Sequence, residues 1–81
     1  MNRPQLKYGD KNKDVREYKG GLCALDYIAK GDVNDEFDKL TKSVTELFQA
    51  DEGLEETGIV DEETWNALNK KIGEKASARL H

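Results

Sequence analysis

Apolar residues recur at helical intervals in three segments of this chain, and stretches rich in Gly, Asn, Asp and Glu separate them. In the first segment Val15, Tyr18, Leu22 and Leu25 follow at steps of three, four and three, and Cys23 widens the stripe. This predicts a helix that starts after the turn Tyr8-Gly9-Asp10-Lys11-Asn12, with Asn12 or Asp14 as its N-cap. Gly20-Gly21 interrupts the helix former pattern, at about 1 kcal/mol per glycine relative to alanine. A pair of glycines there implies a close neighbour or a local distortion. Residues 29–37 are the least regular stretch, a loop marked by Gly31 and its Asx residues and anchored by Val33 and Phe37.

A second helix is expected from Asp38, its N-cap, with Leu40, Val44, Leu47 and Phe48 as the buried face and Gly53 as the residue that ends it. The third is the best specified. Asp61 caps it, Glu62 and Glu63 put negative charge in its first turn, and Val60 is placed to staple onto Trp65. Trp65, Leu68 and Ile72 form its buried stripe, Lys70 and Lys71 suit its C-terminal dipole, and Gly73 is placed to close it. The fold class that follows is all-α, a compact three-helix bundle with long inter-helix loops. Residues 4–73 form the domain, and residues 74–81 form a frayed C-terminal tail.

Eighty-one residues make one domain. The low apolar share, 36% against 37% charged, is what a small domain with much surface needs, and the helical periodicity sets it apart from a disordered chain. With a net charge of −4 and Lys and Arg scattered along the chain, a nucleic-acid partner is not expected. No apolar run approaches the ~18 residues of a membrane span. Met1-Asn2-Arg3-Pro4 has no apolar segment behind it, the expectation for an excised fragment or a cytoplasmic chain rather than an exported precursor.

The candidate chemistry narrows quickly. Cys23 is the single cysteine and His81 the single histidine, so no intrachain disulfide can form and a Cys–His pair would need the chain end folded into the core. A zinc site, with its three or four Cys, His or carboxylate ligands, is not expected either. Asp10, Asn12 and Asp14 copy the first oxygen positions of a calcium-binding helix–loop–helix, but Val15 stands in the glycine slot and Gly21 where the bidentate Glu belongs. Asp32, Asn34 and Glu36 repeat the spacing with Phe37 in the glycine slot, and both segments read as Asx-rich turns. Paired-carboxylate hydrolysis needs a cleft that raises one pKa, which a bundle this small does not suggest. Ser43, between Lys42 and Val44, lacks the Asp-Ser-Leu setting of an acyl carrier protein. No catalytic residue, metal or cofactor is therefore assigned.

From Leu6 to Leu68 the same residues resemble the peptidoglycan-binding-like family, a three-helix module found beside amidases, peptidases and lytic enzymes. Leu6, Gly9, Asp10, Asn12 and Val15 are similar to its Leu-x-x-Gly-Ser-x-Gly-x-x-Val opening, with Asn12 in place of glycine. Tyr18, Lys19, Leu22, Asp26 and Tyr27 stand where the family has Leu-Gln, Leu and Gly-Tyr. The second half is closer: Phe37 and Thr41 around Asp38, then Phe48-Gln49, Gly53-Leu54, Thr57-Gly58, Val60-Asp61, Thr64-Trp65 and Leu68. The resemblance implies a non-catalytic module that binds peptidoglycan, through its glycan strand or stem peptide, and anchors a fused cell-wall hydrolase. It implies a place in the cell wall or on the extracellular side of bacteria. The alternative is the same fold in protein–protein contact within a phage or cell-surface assembly. Trp65, opposite Val60, reads as core rather than as a sugar platform. Tyr27, Asp35, Asp38 and Gln49 remain as candidate ligand-binding residues.

Overall fold

A computed structural model describes the backbone of residues 3–79 and the side chains of residues 3–77. Among them are three α-helices, α1 (Lys13–Ala24), α2 (Lys39–Asp51) and α3 (Glu62–Arg79), with a short 3-10 turn, Lys30–Asp32, between the first two. Each α-helix begins on a side-chain cap. The Asn12 carboxamide oxygen accepts the Val15 amide at 3.0 Å, which settles the choice between Asn12 and Asp14. Asp38 and Asp61 repeat one another: each carboxylate accepts both the amide and the hydroxyl of the threonine three residues on, Thr41 at 2.9 and 2.6 Å and Thr64 at 3.0 and 3.0 Å.

Two helices also end alike. After α1, the amides of Asp26 and Tyr27 bond back to the carbonyls of Cys23 and Leu22; after α2, those of Gly53 and Leu54 bond back to Ala50 and Gln49. This is the Schellman closure, which needs a left-handed residue just past the helix. Gly53 supplies it at φ 72°, and Asp26 adopts φ 67° in the position where the resembling family has glycine. Asp can enter that region because its short polar side chain bonds locally.

The core is a single cluster formed by Leu6, Val15, Tyr18, Leu22, Ile28, Phe37, Val44, Phe48, Val60, Trp65 and Leu68. Tyr18 sits at its centre, stacked on Phe37 with ring centroids 6.2 Å apart and edge-on to Trp65 at 5.6 Å. Burial pushes the Tyr18 hydroxyl well above the usual phenol range, against the opposing effect of its 2.8 Å hydrogen bond to Thr45. Gly21 explains part of the glycine pair: a Cβ there would lie 2.8 Å from Leu68 Cδ2 and 3.2 Å from Ile72 Cδ1, so α1 and α3 meet at this point.

The N-terminal segment is the seam of the fold. Leu6 exchanges both backbone hydrogen bonds with Val60, at 3.0 and 2.8 Å, just before α3. Residues 9–12 pair with 35–37 just before α2, through Gly9 N to Phe37 O at 3.0 Å and Phe37 N to Asp10 O at 2.9 Å. Trp65 joins the same seam, donating from Nε1 to the Pro4 carbonyl at 2.9 Å with the Arg3 guanidinium 4.8 Å over its ring.

Two expectations are corrected here. Leu40 and Leu47 are not part of the buried face of α2; they are 46% and 55% exposed. The buried face is Thr41, Val44, Thr45, Phe48 and Gln49, a stripe at helical spacing in which polar side chains find partners inside the fold. And α3 does not close at Gly73 but continues to Arg79. Lys75 holds this extension against the end of α1, donating to the Ala24 carbonyl and lying 3.2 Å from Asp26. Leu80 and His81 lie outside the described residues.

Candidate functional site

The four candidate residues do not converge. Gln49 is wholly internal: its Nε2 donates to Ile59 O at 2.9 Å and Thr64 Oγ1 at 3.1 Å, and its Oε1 accepts the Gly58 amide at 3.0 Å. Both ends of the carboxamide are thereby used to hold the loop that leads into α3. Tyr27 packs against the same C-terminal turn of α2, where its ring meets Phe48 edge-on at 5.4 Å and its hydroxyl donates to Asp51 at 2.6 Å. Partial burial, followed by the Asp51 hydrogen bond and the charges of Asp51 and Glu52, pushes that hydroxyl up to about 12. Tyr27 shares a shallow depression with Leu25, Glu52 and Lys71.

Asp35 faces a different side. It accepts from Arg16 Nε at 2.6 Å in a depression with Lys13 and Glu17. Asp38 is a helix cap first. The Thr41 hydroxyl lowers its carboxyl below the usual range, its partial burial opposes this, and the Thr41 amide and the Lys19 charge add to the lowering.

Lys19 was legible only as a departure from a family pattern, yet it is completely buried. Its ammonium donates to Asn34 Oδ1 at 2.9 Å and the Glu36 carbonyl at 2.8 Å, and lies 3.9 Å from Asp38. It does for the loop before α2 what Gln49 does for the loop before α3. The signal in the sequence is its place directly after a core aromatic, Tyr18-Lys19 beside Phe48-Gln49.

The concave surface that sequence reasoning missed lies along the N-terminal half of α2. A depression of ≈ 540 Å³ is bordered by Tyr8, Lys11, Glu36, Asp38, Lys39 and Leu40. It adjoins a second, of ≈ 340 Å³, that shares Tyr8 and Lys39 and extends to Lys42 and Ser43. Tyr8 is 51% exposed, and with Leu40 it makes an apolar wall on an otherwise charged surface. Of the four candidates, Asp38 borders this trough.

The family model described as "Putative peptidoglycan binding domain" matches residues 11–68. That span holds all three helix caps, both Schellman closures and most of the core. The chain belongs to the peptidoglycan-binding domain family. The family is one of binding modules, and the chain is a non-catalytic domain of that kind. Its three-helix, all-α architecture is the one the resemblance implies.

Curated relatives share the segment. A "Probable CtpA-like serine protease" of Staphylococcus aureus (strain COL) is 34% identical over 76 residues, 94% of this chain and 15% of the relative. One of the same description from Staphylococcus epidermidis (strain ATCC 12228 / FDA PCI 1200) is 35% identical over 71 residues, 88% of this chain and 14% of the relative. The chain thus spans a small fraction of the relatives it matches. Among the described residues no helix is long and apolar enough to cross a membrane.

Proposed function

We propose that this domain binds peptidoglycan and anchors a hydrolase fused to it on the wall polymer. The observation that carries the reading is the family match over residues 11–68. The likeness to protein chains described as serine proteases, of which this chain covers about a seventh, supports a catalytic domain as the fused partner. A small module suits this role physically. Tethering makes every later encounter between enzyme and polymer intramolecular, so turnover rises through effective concentration without new chemistry. In this reading the domain works in the cell wall, outside the membrane. Asp38 contributes the edge of the ligand face, Tyr27 and Asp35 offer subsidiary contacts from their own depressions, and Gln49 holds the loop that leads into α3. Co-sedimentation of the purified domain with washed sacculi tests the proposal: the folded domain in the pellet supports it, and its retention in the supernatant refutes it.

A further inference from the structure

We infer that the trough between Tyr8 and the N-terminal half of α2 is the ligand face, and that it takes a carboxylate-bearing peptide rather than a neutral sugar chain. This rests on the wall-binding reading and specifies which part of the polymer is held.

The first support is rigidity. Tyr8 stands on a turn locked from both sides: the Asp10 amide donates to Lys7 O at 3.0 Å, the Lys7 amide to Asp10 Oδ2 at 3.0 Å, and Gly9 N to Phe37 O at 3.0 Å. An aromatic ring held out on an ordered backbone contacts a ligand at little cost in backbone entropy. Leu40 adds a second apolar surface on the same depression, so methyl-bearing side chains have a place to lie.

The second support is charge. The domain carries a net −4, yet Lys11, Lys39 and Lys42 border these two depressions against Glu36 and Asp38. Asp38 is already engaged by Thr41 and faces the buried Lys19 ammonium. Lys42 pairs with Glu46 at 3.4 Å, whereas Lys11 and Lys39 have no ion-pair partner among the described residues. Lys39 borders both depressions and so stands at their junction, beside Tyr8. An apolar wall with unpaired ammonium groups matches a short peptide that has small apolar side chains and free carboxylates. A neutral sugar chain would use the ring of Tyr8 but leave the ammonium groups without a counter-charge.

The test is a titration of the isotope-labelled domain followed by amide NMR, with two probes: stem peptides freed from sacculi by an amidase, and an uncharged β-1,4-linked N-acetylglucosamine oligomer standing for the neutral sugar chain. The peptides are expected to shift the amides of Gly9, Lys39, Leu40 and Ser43, and the uncharged sugar oligomer to leave them in place. Tyr8→Ala and Lys39→Gln should each weaken peptide binding about three- to tenfold, with spectra otherwise preserved, and added salt should weaken it further. Shifts caused by the sugar oligomer but not by the peptides, shifts confined to the Tyr27–Lys71 depression, or variants that bind unchanged would overturn the assignment. If the unmodified domain still pellets with sacculi in those cases, the wall-binding reading survives and the trough assignment falls. If it does not pellet, both fall.

Discussion

The Gln49 side chain and the Gly58 backbone hold one another: Oε1 of the buried carboxamide accepts the Gly58 amide at 3.0 Å. The same side chain donates to the Ile59 carbonyl and the Thr64 hydroxyl, so one residue of α2 organises the loop and first turn of α3. Gln49→Leu keeps the volume and removes both functions, leaving the buried Gly58 N–H unpartnered. The loss expected is about 1–3 kcal/mol. Urea unfolding would show it as a lower midpoint at unchanged slope. An unchanged midpoint would mean that the carboxamide is not holding the loop.

The adjacent glycines of α1 are predicted to respond with opposite sign. A Cβ on Gly20 meets nothing within 4 Å, whereas one on Gly21 enters the side chains of Leu68 and Ile72. Gly20→Ala should therefore stabilise the domain by about 0.5–1 kcal/mol through helix propensity. Gly21→Ala should destabilise it by about 1–3 kcal/mol through overpacking at the α1–α3 contact. Thermal unfolding of the two single variants decides the matter, and equal effects of one sign would count against the contact.

Asp38 links stability to pH. Its carboxyl is lowered in the fold, first by the Thr41 hydroxyl and further by the Thr41 amide and Lys19. A group lowered in this way contributes stability that is complete above its unfolded value, about 3.9, and is lost as pH falls through the folded value. Asp38→Asn, which still caps, loses the charge-dependent part at every pH. The stability gap between the native domain and this variant should then be widest near neutral pH and close below about pH 4. Urea midpoints at pH 6 and pH 3 measure it; a gap independent of pH contradicts the assignment.

Much of this fold was legible because its punctuation is local. Asn12, Asp38 and Asp61 announce three helix starts within a few residues of sequence, and Gly53 one helix end. Leu40 and Leu47 match an apolar helical stripe by residue type alone, yet both face outward. Thr41, Thr45 and Gln49 lie on the same face as Val44 and Phe48, and buried hydrogen bonds make that polar stripe the inner one. α3 continues past Gly73 because Glu74, Lys75, Ala76, Ala78 and Arg79 favour helix, and a single interior glycine costs only about 1 kcal/mol, too little to end it. The ligand face was hidden for a different reason. Tyr8 and Lys39 are 31 positions apart in sequence, and only the pairing of residues 9–12 with 35–37 brings them together.

The central claim is that the domain binds peptidoglycan. A saturation isotherm of the folded domain on purified sacculi, with soluble and pelleted fractions counted across a range of polymer, tests it most directly. Saturable binding that Tyr8→Ala weakens about three- to tenfold is the predicted result. A folded domain that stays soluble at every polymer concentration would contradict it.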